Sequence, residues 1–154
     1  MTKVVRIHEY GDASVLKIED IEVPLPAADE VQIAVRSIGL NRAEVMFRNH
    51  AYLQEAVFPS RLGYEASGVV QAVGDAVTGF QQGDAVSLIP PDDIARWGTY
   101  GEVANVPARS LVKQRRGSSP RIQGSPTGSV QDGWPVFAVE PAASLPPCHR
   151  PVHG

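Results

Sequence analysis

Apolar and polar positions alternate with a period of two through much of the first 113 residues. Val31, Ile33 and Val35 alternate with Gln32, Ala34 and Arg36, which sends one row of side chains inward, as in a half-buried strand. Residues 3–8, 15–23, 65–73, 84–89, 101–106 and 110–113 read as further strands. Turn signals separate them: Gly11-Asp12, residues 24–29, Gly74-Asp75, Gly83-Asp84, Pro90-Pro91 and Pro107. Short strands divided by turns predict a mainly β fold, a small barrel or sandwich, because closure removes exposed edges. One segment departs from the rhythm. Asn41 can cap a helix with Glu44 three residues on, and Ala43, Val45, Met46 and Phe47 extend it to near Asn49. Asn41 thus stands at a strand-to-helix junction, where a residue either caps the helix or faces a cleft.

The pattern stops after Lys113. Residues 114–154 contain 7 Pro, 5 Gly and 5 Ser, and only 7 of Leu, Ile, Val or Phe, below the roughly one-fifth that a packed core requires. Beyond Pro120 the longest stretch free of proline is residues 127–134, too short for a helix of typical length. Residues 1–113 carry a net charge of -5 and residues 114–154 one of +2. We therefore expect a folded domain over 1–113 and an irregular Pro/Gly/Ser-rich tail over 114–154. A change of sign, periodicity and composition at one point predicts a reading-frame shift or truncation there.

The whole chain of 154 residues has a net charge of -3, which argues against nucleic acid or an anionic membrane as partner. No apolar run reaches transmembrane length and the amino terminus lacks the apolar core of a signal peptide, so a cytoplasmic protein is expected. The single cysteine, Cys148, excludes an internal disulfide and a cysteine-only metal centre. Cys148, His149 and His153 lie near one another, but Pro147 and Pro151 oppose the helix that a metal site of that spacing needs. His8 and His50 read as isolated, with no partner at ligand spacing.

The most specific string is Gly63-Tyr64-Glu65-Ala66-Ser67-Gly68, followed by Gly74 and Val77. Together with residues 80–86, with Gly39-Leu40-Asn41-Arg42-Ala43-Glu44 and with the opening His8-Glu9-Tyr10-Gly11, it resembles the medium-chain dehydrogenase/reductase superfamily, in its zinc-independent, quinone oxidoreductase-like branch. The likeness runs over residues 1–113. It implies a GroES-like, partly open β-barrel, the catalytic domain of enzymes that move a hydride between a nicotinamide cofactor, here NADPH, and a small carbonyl, alcohol, enone or quinone.

Zinc-using members of that superfamily place a cysteine at the position of Asn41 and a histidine at that of Tyr64. Neither an amide nor a neutral phenol replaces such a ligand, so the resemblance implies chemistry without metal. Asn41, Tyr52 and Tyr64 are then the candidate catalytic residues, as an amide donor and two phenols beside a developing oxyanion. Resemblance also sets Asn41 and Tyr52 on the nicotinamide side of the cleft. Glu65 matches a glutamate behind the active site, or is a structural carboxylate bonded to backbone, Arg42 or Arg48. Arg48 matches a basic position in several relatives, or is a solvated helix-end arginine. The Trp97-Gly98-Thr99-Tyr100-Gly101 loop resembles one whose aromatic residues line the substrate side, though a structural turn explains its glycines as well.

Relatives grip the nucleotide with a Rossmann domain, whose Gly-x-Gly-x-x-Gly turn admits the pyrophosphate. No two glycines here stand two positions apart, so that domain is not expected within this sequence. The expectation is a catalytic-domain fragment, poor as an enzyme alone, from a family that often forms homo-oligomers through the absent domain. Two other readings stay open, a non-catalytic GroES-like binding module and an alcohol dehydrogenase-type member of the same superfamily.

Overall fold

The computed structural model describes residues 1–114 and the two-residue strand Phe137–Ala138. Nine strands and one helix follow in the order β1 (Thr2–Ile7), β2 (Lys17–Ile21), β3 (Glu30–Gly39), α1 (Arg42–Arg48), β4 (Ser60–Arg61), β5 (Glu65–Val73), β6 (Ala85–Leu88), β7 (Val103–Pro107), β8 (Leu111–Lys113) and β9 (Phe137–Ala138). Mainly β architecture with little helix is what the alternation predicts.

Two antiparallel sheets form. The smaller has the order β2-β1-β4, and the larger runs β7-β3-β5-β6-β8, with β9 paired to β3. They do not close into one barrel. Residues Tyr100 to Glu102 join them: Val5 donates to the Tyr100 carbonyl, Glu102 to the Lys3 carbonyl, and Val35 to the Glu102 carbonyl. A partly open barrel is the result.

β3 organises the larger sheet. Val31, Ile33 and Val35 are buried while Arg36 is exposed, so the period of two holds. They build the main core with Ala66, Val70, Val86 and Val106. Ser37 continues the inward row, and its buried hydroxyl meets that of Ser67 at 2.6 Å, which satisfies both groups. A second cluster of Ile7, Phe47, Leu62 and Ile94 packs beneath α1 and fixes the helix on the sheet. Burying Phe47 completely contributes about 2–3 kcal/mol.

Several sequence expectations change in detail. The strand expected over 15–23 is shorter, because the Asp12 carboxylate accepts from the Ser14 amide and caps a single 3-10 turn, Ala13–Val15. β4 lacks any alternation long enough to see in sequence, and its pairing with Arg6 and Ile7 of β1 creates it. The irregular tail expected over 114–154 lies outside the described residues, apart from Gln114 and β9, which sits opposite Ser37 and Ile38.

Gly68 of β5 lies against the backbone of β3. A Cβ there would lie 2.1 Å from the Ala34 carbonyl oxygen and 3.2 Å from the Val35 Cα, both backbone atoms that cannot swing aside. Gly68→Ala should therefore force the two central strands apart and cost roughly 3 kcal/mol. Urea unfolding checks this; an unchanged midpoint would show that the strands have slack there.

Candidate active site

β3 ends at Gly39, directly opposite Glu65 at the start of β5. A Cβ on residue 39 would come within 2.7 Å of Glu65 Oε2, so glycine leaves the room that this carboxylate occupies. The chain then passes through Leu40 to Asn41, whose extended backbone (φ -118, ψ 150) starts α1. In the predicted capping box Glu44 accepts from the Asn41 backbone N–H through Oε2, and a separate backbone bond, from the Glu44 amide to the Asn41 carbonyl at 3.3 Å, closes the first turn.

Glu44 does more than cap. Its other oxygen, Oε1, accepts from the Tyr64 backbone N–H at 3.0 Å, and the Tyr100 hydroxyl bonds to the same carboxyl group. The residue is 4% exposed. Burial pushes its pKa up to about 7; the Asn41, Tyr100 and Tyr64 donors oppose that rise, and the nearby Glu65 charge adds to it. Burial also raises Glu65, against the Asn41 side chain, which lies close enough to draw it down. That approach falls short of a formed hydrogen bond, for Asn41 Nδ2 is buried with no partner.

On the other side of Glu44, the Tyr52 and Tyr64 hydroxyls meet at 2.7 Å, with their rings edge to face. Tyr52 also turns its edge to Phe47 of α1. The Tyr64 phenol is pushed up to about 12, first by burial, then by its bond to Tyr52 and the negative charges of Glu44 and Asp92. It holds its proton at neutral pH. Within a hydroxyl pair one O–H serves the partner and the other remains free, so the pair offers one donor outward.

Of the three residues expected at the site, Tyr52 and Tyr64 touch directly. Asn41 is joined to Tyr64 through Glu44, while its own side chain turns toward Glu65 and bonds neither phenol. Sequence reasoning identified Glu44 only as a cap and missed its hold on Tyr64, twenty residues away. It named Tyr100 only within a loop, without its bond to Glu44.

Other expectations are corrected. Glu65 pairs with neither Arg42 nor Arg48. Arg48 instead donates to the Gly11 carbonyl at 2.6 Å and receives the Gly11 amide in return, so it ties α1 to the first loop. Trp97 is buried, and its indole N–H donates at 3.0 Å to Glu30, the first residue of β3, with Arg96 and Arg109 over the ring; it is a structural residue of the loop before β7. His8 is not isolated, because strand pairing brings Glu19 to 2.5 Å from its Nε2, and His50 lies 3.7 Å from Glu55. Cys148, His149 and His153 lie outside the described residues. Among the described residues no three His, Cys, Asp or Glu side chains are grouped to hold a metal ion, and no helix is long and apolar enough to cross a membrane.

A partly open β fold with a capped helix set against its central strands fits an alcohol dehydrogenase GroES-like domain, and that family matches residues 27–116. The chain belongs to this family, within the medium-chain dehydrogenase/reductase superfamily and its quinone oxidoreductase-like branch. It is 38% identical over 112 residues to a quinone oxidoreductase of Pseudomonas aeruginosa, covering 73% of this chain and 33% of that one. The crystal structure of a Pseudomonas syringae quinone oxidoreductase superposes with a TM-score of 0.71 at 36% identity, over 78% of this chain and 35% of that one. Escherichia coli quinone oxidoreductase, solved in complex with NADPH, superposes with a TM-score of 0.67 at 26% identity, over 77% and 35% of the two chains. The chain spans about a third of the length of these relatives.

Glu44 should leave a mark on stability. An unfolded chain ionises this carboxyl near pH 4.5, whereas the folded one holds its proton to about 7, so the folded state loses relative stability as pH rises across that window. Glu44→Gln removes the titration. Apart from a constant offset, its unfolding free energy should gain on the wild type by about 3 kcal/mol from the acid to the neutral end. Parallel pH profiles from urea unfolding would contradict this.

Proposed function

We propose that this chain supplies the substrate-facing wall of a cytoplasmic, NADPH-dependent oxidoreductase that reduces quinones or related α,β-unsaturated carbonyls without zinc. The observation that carries the reading is Asn41 Nδ2, a buried donor that forms no hydrogen bond although Glu65 lies beside it. A buried donor left unpaired costs about 1–3 kcal/mol, and a substrate or nicotinamide carbonyl oxygen would satisfy it. The quinone oxidoreductases among its relatives, and the NADPH in one of them, support the substrate and cofactor class.

The residues present fit one end of the cofactor. Asn41 can hold a carbonyl at the nicotinamide end, while no Gly-x-Gly-x-x-Gly turn in this sequence can receive the pyrophosphate. When bound, NADPH supplies a hydride to the conjugated substrate, and negative charge gathers on the substrate oxygen. The chain's own groups answer that charge. Asn41 donates through Nδ2, and the Tyr52–Tyr64 pair offers its free O–H to bond the oxygen and pass it a proton. The high pKa of Tyr64 keeps the pair neutral, so it enters the step as a donor. An amide and a protonated phenol are poor zinc ligands, which favours hydrogen bonding over Lewis-acid assistance.

A soluble naphthoquinone titrated into the full chain tests the assignment. The Asn41 side-chain amide resonances should shift, and Asn41→Leu should abolish the response and weaken binding about tenfold, as expected for one good hydrogen bond. NADPH should give no binding heat at submillimolar concentration. Unmoved Asn41 resonances, or tight stoichiometric NADPH binding by this chain, would overturn the proposal.

A further inference from the structure

We infer that Glu44 is a positioning residue whose two carboxylate oxygens hold the backbones of Asn41 and Tyr64 at a fixed separation, one N–H on each oxygen. This rests on the functional reading above, in which both residues face the substrate. Asn41 and Tyr64 lie 23 positions apart, on the entry to α1 and just before β5; the β3–β5 ladder ends at Gly39 opposite Glu65 and pairs neither of them. Oε2 takes the Asn41 amide and Oε1 the Tyr64 amide. Among the described residues neither amide bonds another acceptor.

The surroundings converge on the same arrangement. Gly63, with φ 113, occupies the left-handed region, and a Cβ there would strike Thr99 Oγ1 at 2.4 Å. The chain is thereby turned so that the Tyr64 N–H meets the carboxylate. Tyr100 brings a third donor from the segment that joins the two sheets, and Tyr100 itself is fixed by its amide to the Leu62 carbonyl at 2.8 Å. Helix, sheet and inter-sheet link thus meet on one side chain, which is 4% exposed.

A helix cap alone would not need a carboxylate. Glutamine serves equally at the third position of a capping box, because one carbonyl oxygen suffices to accept the cap amide. It cannot accept two N–H groups on two separate oxygens, since its second terminal atom is itself a donor. The two roles therefore separate in one substitution.

Residue-resolved amide hydrogen exchange of the full chain, at a pH above neutral where Glu44 is ionised, decides between them. In Glu44→Gln, Asn41 should keep its protection while Tyr64 loses about tenfold, and in Glu44→Ala both should fall. Val70, bonded to Asp84 in the larger sheet, should remain as in the wild type. Tyr64 equally protected in wild type and Glu44→Gln would overturn the inference, as would loss at Asn41 and Tyr64 that merely tracks Val70. If Glu44→Ala does not fold, the contrast between two amides within the Gln variant still decides. Failure of the functional reading shows separately, as a wild-type chain whose Asn41 resonances ignore the naphthoquinone.

Discussion

A carboxylate taken out of water must be compensated, and here it is compensated by three donors from three parts of the fold. Glu44 receives the Asn41 amide at the start of α1, the Tyr64 amide before β5 and the Tyr100 hydroxyl from the link between the sheets. Hydrogen bonds to a charged acceptor are each stronger than neutral ones, and the amides they satisfy would otherwise be buried and unpaired. The same contacts that offset burial therefore set the distance between the helix entry and the sheet. Remove the carboxylate and two backbone donors are orphaned at once.

The compensation is incomplete, and this matters chemically. Glu44 stays above the usual carboxylate range in spite of its three donors, and Glu65 beside it is raised as well. Two acidic groups close together in a half-closed fold disfavour further negative charge unless donors stand ready. In the function proposed above, Asn41 Nδ2 and the phenol pair are such donors, and all of them are neutral. Burial, the bond to Tyr52 and nearby acid charge hold the Tyr64 proton in place. Acidic neighbours thus keep the phenol protonated, the form in which it can donate.

How much of this the sequence reveals follows the range of each interaction. The inward row of Val31, Ile33 and Val35 and the Asn41–Glu44 box depend on spacings of two and three, and both are plain in the chain. The Ala13–Val15 turn was hidden because a single aspartate side chain, accepting from Ser14, outweighs the strand pattern around it. His8 looked solitary because Glu19 reaches it only through antiparallel pairing. The Tyr64 amide on Glu44 is of the same kind: a contact across 20 positions that leaves no local signature. Tyr52 and Tyr64 were named by resemblance, and the 2.7 Å between their hydroxyls is a product of the fold. Trp97 drew attention as an aromatic residue in a glycine-flanked loop, yet burial and a bond to Glu30 fully occupy it.

Aromatic content or glycine punctuation is therefore a weaker guide to this site than unsatisfied hydrogen-bonding capacity. Trp97, Arg48 and His8 each carry chemistry-bearing groups, and each spends them on an internal partner. Arg61 retains an unpaired Nε, but its guanidinium already donates to the Val103 carbonyl in the structural seam between β4 and β7. Asn41 differs in kind. Its backbone is fully engaged in starting the helix while its side-chain nitrogen forms no hydrogen bond. A fold that commits a buried carboxylate to fixing that backbone, and leaves the amide it carries unspent, holds a donor rigidly in place at the cost of stability. In the function proposed above, that cost is recovered when a substrate or nicotinamide carbonyl supplies the acceptor.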